Sequence, residues 1–129
     1  MPHFIVEYTD NIKGETNLGK LFEEIHKVLI TQNNVFPIGG IRSRAIELNE
    51  YRVADGTEDD AFVHAVLKIG AGRSEEVKKE VCSTIFEIMK AHFSPLMENR
   101  YLALSMELIE FSEAGTYKHN NIHARFINK

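Results

Sequence analysis

Pro2, Arg42 and Arg73 are far apart in the chain, but their side-chain types suit one piece of chemistry: a proton-transferring amine beside two anion-gripping cations. Initiator methionine is generally removed when the next residue is small, so loss of Met1 is expected to leave Pro2 with a free secondary amine. An α-amino group titrates near about 7.7–8.0, and burial and nearby cations both disfavour its ammonium form. An amine brought close to neutrality can accept a proton, and its conjugate acid can return it. Arginine offers a planar, bidentate grip on carboxylates. Taken singly, Pro2 reads as a backbone restraint and each arginine as a solvated charge. Their weight depends on whether the fold brings them to one place.

The hydrophobic pattern supplies the elements. Phe4 to Tyr8 alternates and reads as a strand starting almost at the N-terminus. Leu18, Leu21, Phe22, Ile25, Val28 and Leu29 recur at three and four, an amphipathic helix with Thr16 or Asn17 as N-cap and an end near Gln32-Asn33-Asn34. Ile41 to Leu48 reads as a second strand and Phe62 to Ile69 as a third, joined by a polar connection carrying Asp55-Gly56. After the tight loop Gly70-Ala71-Gly72-Arg73, Ser74 is the expected N-cap of a second helix, with Glu75 and Glu76 in its first turn. Val77, Val81, Ile85, Ile88, Met89 and Phe93 mark its apolar face, and Pro95 is expected to stop it. Leu102 to Phe111 reads as a fourth strand, and Ile122 to Phe126 as a short extra strand.

The order predicts a single α/β (α+β) domain over residues 1–129, built from two βαβ units at about 2–50 and 60–112 with a tail over 113–129. They form a four-stranded mixed sheet with two helices on one face. In a parallel unit the first and second strands start at the same edge, which puts Pro2 beside Arg42. If the third strand runs antiparallel to the first, its C-terminal end brings Arg73 to that edge as well. The other sheet face carries Phe62, His64 and Val66 on the third strand and Ala103, Ser105, Glu107, Ile109 and Phe111 on the fourth. That face is too apolar for water, and a second subunit is expected to cover it in preference to the tail.

The opening Pro2-His3-Phe4-Ile5-Val6-Glu7 resembles the tautomerase superfamily, in which an N-terminal proline is the catalyst. The chain is more specifically similar to the 5-carboxymethyl-2-hydroxymuconate isomerase family. Supporting segments are Phe36-Pro37, Gly40-Ile41-Arg42-Ser43-Arg44, Ala54-Asp55-Gly56, Ala61-Phe62-Val63-His64, Leu67 to Ser74 and Asn120-Asn121-Ile122-His123-Ala124, in order along the whole chain. The resemblance implies a homotrimer without a cofactor that ketonises a dienol carboxylate in homoprotocatechuate degradation. It implies Pro2 as acid and base, with Arg42 and Arg73 holding the carboxylates of a small di- or tricarboxylate. It also sets Asn120 and Asn121 at the border of the pocket. Two alternatives stand beside this reading: a tautomerase acting on another keto-enol acid, and a trimeric binding protein that has kept the fold without catalysis.

Other features read as structural. His119 and His123 have the four-residue spacing of a helical metal pair, but Asn120-Asn121 between them argues against a helix, and no metal is expected. His64 is expected to pack at an interface, and Cys82 to pack on a helix without a base or paired thiol. Gly70 to Ser74 lacks the spacing of a nucleotide-binding loop. The chain has 129 residues, 43% hydrophobic and 26% charged, with a formal net charge of −4 and no basic stripe for nucleic acid. The N-terminus has no signal-peptide pattern and no apolar run suits a membrane span, so the expected setting is cytoplasmic.

Overall fold

A computed structural model describes residues 1–32 and 35–127. Strand β1 spans His3–Thr9, helix α1 Leu18–Ile30, β2 Arg42–Leu48, β3 Ala61–Gly70, helix α2 Glu75–Met97 and β4 Leu102–Phe111. The sheet order is β2-β1-β3-β4, with β1 parallel to β2, antiparallel to β3, and β3 parallel to β4. This is the expected mixed sheet of two βαβ units.

The alternation in the strands dictates which face is dry. Phe4 and Val6 of β1 and Val63, Ala65, Leu67 and Ile69 of β3 point to one side and are fully or almost fully buried. Leu21, Ile25 and Leu29 of α1 and Val81, Ile85, Met89 and Phe93 of α2 close over them in the same core. Each of these side chains larger than alanine contributes about 1.5–3 kcal/mol by leaving water. Thr9 is the buried polar exception among the described residues: its hydroxyl accepts from the backbone N–H of Phe62 at 3.2 Å, closing the ladder where β1 ends.

Asn17 caps α1, its side chain accepting from the N–H of Lys20, and Ser74 caps α2, its hydroxyl accepting from the N–H of Val77 at 3.2 Å. A cap of this kind stabilises by about 1 kcal/mol. Helix α1 ends at Ile30 with Thr31 as C-cap, before the expected Gln32-Asn33-Asn34 end, of which Asn33 and Asn34 lie outside the described residues.

Two expectations are corrected. Pro95 does not stop α2, which runs through it to Met97. Proline costs the helix one hydrogen bond, but only the last turn is affected. Leu96 packs against the core there, and its carbonyl accepts from the N–H groups of Asn99 and Arg100 at 3.0 and 3.1 Å. Ile122 to Phe126 is a 3-10 turn and not a strand. It packs against a second 3-10 turn, Ile38–Gly40, which holds it away from any strand edge.

The second sheet face stays open in the single chain. Ile46 and Ile109 are 45% and 38% exposed. On this face His64 joins Ser105 at 2.7 Å and Glu107 at 3.0 Å. Among the described residues the tail turns toward Gly39 and Gly40 at the end of the sheet, where His123 lies against both.

Candidate active site

Strand register brings the predicted residues together. His3 pairs with Arg42 across the parallel ladder and with Lys68 across the antiparallel one, so the chain start, the β2 start and the β3 end share one sheet edge. The backbone N–H of Arg42 donates to the carbonyl of Pro2 at 3.1 Å. The tail joins them because β4 runs parallel to β3 and ends opposite Gly70, where Phe111 pairs with it.

Two cavities open at this edge. One, of about 540 Å³, has Arg42, His3, Phe111, Asn120 and Asn121 in its walls; the other, of about 440 Å³, has Arg73, Glu113 and His123. Met1, Lys118 and Asn120 belong to both walls. Pro2 is buried and lines neither. With Met1 attached, the nitrogen of Pro2 is an amide and has no basicity. The free amine at the site is that of Met1, one residue away from where a processed chain would carry it.

Arg73 is shaped by the loop before it. Gly72 has a φ of +113°, a left-handed conformation that favours glycine. The guanidinium then folds back: Nη1 donates to the carbonyl of Gly70 at 2.9 Å and Nη2 to that of Val35 at 2.8 Å, with the group stacked 4.7 Å over the Phe36 ring. Its Nε is buried without a hydrogen-bond partner among the described residues. Arg42 is exposed, and its guanidinium has no hydrogen bond or ion pair among the described residues. Gly70 matters because it has no side chain. A Cβ there would lie 2.6 Å from Glu113 Oε1 and 3.4 Å from Arg73 Nη1, so both charged groups close over the strand end.

The electrostatics favour a neutral amine. Burial pulls the α-amino group of Met1 below its ordinary value, Arg73, Lys118 and Arg42 act in the same direction, and Glu113 opposes them. His3 is also lowered, first by burial and then by Arg42 and Arg44. Its Nδ1 meets Nη1 of Arg44 at 3.2 Å. Arginine can only donate, so Nδ1 accepts and the neutral ring carries its proton on Nε2.

The tail was only partly legible. Asn120 donates through Nδ2 to the carbonyl of Gly39 at 2.9 Å and accepts from the N–H of Ile122 at 2.7 Å, which pins the tail over the site. Asn120 and Asn121 line the Arg42 cavity, as does His119, while His123 packs on Gly39. His3, Glu113 and Lys118 were missed. The signal that could have found Glu113 and Lys118 is position, a run of polar, chemistry-bearing residues directly after a strand that ends at the site edge, and for His3 it is adjacency to Pro2 and pairing with Arg42.

The sheet order, the two helices and the cavities at the chain start define a tautomerase fold. Solved structures far from this chain in sequence share it: a fused 4-OT symmetric trimer (20% identity, TM-score 0.63, 91% of this chain and 93% of that one) and the macrophage migration inhibitory factor of Trichinella spiralis (10%, 0.62, 91% and 96%). Within that class, the family model for 5-carboxymethyl-2-hydroxymuconate isomerase matches residues 2–126, and the chain belongs to this family of isomerases. It is 47% identical over 126 residues, 98% of this chain and 99% of the relative, to the Escherichia coli protein named 5-carboxymethyl-2-hydroxymuconate Delta-isomerase. The crystal structure of a 5-carboxymethyl-2-hydroxymuconate isomerase from Deinococcus radiodurans R1 superposes with a TM-score of 0.92 at 52% identity, over 97% of this chain and 93% of that one. These relatives favour the enzyme over the binding-protein alternative.

Proposed function

We propose that this isomerase ketonises 5-carboxymethyl-2-hydroxymuconate in homoprotocatechuate degradation, with the Pro2 amine as acid and base once Met1 is removed. The observation that supports this most is the position of Met1, which precedes the buried Pro2 and forms a wall of both the Arg42 and the Arg73 cavity. Removing Met1 would free the Pro2 nitrogen and join the two spaces around it. The 2-hydroxyl proton passes to the nitrogen, the electron pair moves along the diene, and the ammonium returns the proton to a distant carbon. The product is the 2-oxo isomer, and no other reactant is consumed. Arg42 and Arg73 grip carboxylates and stabilise charge as the dienolate forms. His3, with its proton on Nε2, is a neutral donor in the Arg42 cavity.

The reading includes a homotrimer in the cytoplasm. The open sheet face, with Ile46 and Ile109 exposed, supports a subunit contact, and a lone free thiol, Cys82, suits a reducing compartment. Sedimentation of the purified protein tests the assembly. The chemistry is tested by a spectrophotometric assay on 5-carboxymethyl-2-hydroxymuconate with methionine-free protein beside protein that retains Met1, each verified by intact mass. Turnover is expected only from the processed form; equal turnover from both would overturn the proline mechanism.

A further inference from the structure

We propose that Lys118 is the third carboxylate anchor of the site, held in reserve by Glu113, and that it sets the preference for a tricarboxylate over a dicarboxylate. This rests on the reading above, in which the substrate carries three carboxylates. Arg42 and Arg73 stand in separate cavities, and each can serve one carboxylate. A ligand spanning both must pass the wall that they share, made of Met1, Lys118 and Asn120. Loss of Met1 leaves two of these. Asn120 is committed on both sides of its amide, donating to Gly39 and accepting from Ile122. Lys118 is therefore the one group of that wall with charge to offer.

Its present partner is a stand-in for the ligand. Lys118 Nζ lies 3.2 Å from Glu113 Oε2, and the side chains are 38% and 59% exposed. An ion pair so open to water holds weakly, and a better-placed carboxylate can replace it. Glu113 also sits in the Arg73 cavity, its other oxygen over Gly70 near Arg73. The chain thus places its own carboxylate where an acidic ligand would sit. Binding moves Lys118 from Glu113 to the ligand, and the freed carboxylate turns to water.

The test uses the methionine-free full chain and its Lys118→Met, Lys118→Arg and Glu113→Gln variants, checked for unchanged fold by circular dichroism. In kinetics on 5-carboxymethyl-2-hydroxymuconate, K118M should raise KM by about tenfold or more, with the loss in KM and not in kcat, as removal of a ground-state charge contact requires. The loss should exceed that on 2-hydroxymuconate, which lacks the carboxymethyl arm, by about tenfold. K118R should recover most of it, and E113Q should lower KM. In calorimetry with propane-1,2,3-tricarboxylate and glutarate, K118M should erase the wild-type preference for the tricarboxylate. Equal losses on both substrates, or no wild-type preference between the two probes, would overturn the proposal. Absence of wild-type turnover would defeat the isomerase reading instead, and the calorimetry would still decide Lys118.

Discussion

The N–H of Arg42 donates to the carbonyl of Pro2 at 3.1 Å, making the first rung of the parallel ladder also the link between the proposed base and one of its cations. The strand cannot shift without carrying both. Pro2 is also buried, so its ring is held by the fold as well as by this bond.

Pro2→Ala in a methionine-free chain leaves a primary amine on a less restrained backbone. Loss of a positioned acid/base typically costs about 10²–10⁴-fold, so kcat should fall by at least about 10²-fold. Sedimentation and melting temperature should be nearly unchanged. Turnover equal to wild type would remove Pro2 from the mechanism.

The groups around the chain start predict the pH profile. Burial, Arg73, Lys118 and Arg42 all lower the α-amine of Met1, and Glu113 raises it; the same groups are expected to act in the same directions on the Pro2 amine one residue further on once Met1 is removed. Catalysis by the free amine requires deprotonation, so activity should rise with pH and level off below the ordinary α-amine range. Arg73→Gln removes a cation and should move the acidic limb of kcat/KM to higher pH. Glu113→Gln removes the opposing charge and should move it lower. A limb that moves in neither variant would show that the titrating group lies elsewhere.

Gly39 carries the tail. A Cβ there would meet His123 at 2.7 Å from Nδ1 and at 2.8 and 2.9 Å from its backbone Cα and N. Backbone cannot swing aside, so Gly39→Ala should displace the tail and destabilise by about 1–3 kcal/mol. Urea unfolding measures the cost, and KM should rise as Asn120 loses the Gly39 carbonyl. Gly115→Ala, with its nearest neighbour at an ordinary 3.7 Å, is the matched control and should be close to neutral.

Histidines predict an acid-side loss of stability. His3, His26 and His92 all lie below the usual value near 6.5, with burial as the leading cause in each. Below that value the unfolded chain takes up protons more readily than the folded one, so stability falls as pH drops through about 6.5 toward the folded values. Above about pH 7.5 this contribution is constant. His26 bonds Ser43 at 2.9 Å and His92 bonds Thr16 at 2.7 Å through their Nε2 atoms. The double variant His26→Gln, His92→Gln should unfold in urea with a shallower dependence on pH between about 7 and 5. An unchanged slope would assign the acid sensitivity to other groups.

Most of the fold was written in periodicity. Phe4 and Val6 against Ile5 and Glu7, and the three-and-four spacing of Leu21, Ile25 and Leu29, each specify an element and its buried face. Parallel and antiparallel pairing then brings Pro2, Arg42 and Arg73 to one edge, which chain order alone suggested. Pro95 and the Ile122–Phe126 turn escaped because tertiary packing decides them: Leu96 anchors the last helical turn, and Gly39 offers His123 a bare backbone to rest on. Lys118 and Glu113 lie in a segment with no repeating pattern, so only their place after the end of β4, and no periodicity, marks them as neighbours of the chain start.

The bare end of β3 has one further consequence. At Gly70 a missing methyl group lets an acid and a base of opposite sign crowd a single small volume. A Cβ at that position would evict the Glu113 carboxylate, at 2.6 Å, and leave the Arg73 guanidinium, at 3.4 Å, in place, so the entrance would turn more welcoming to acidic visitors. Position 70 is thus a dial that natural variation could turn without touching a single charged residue.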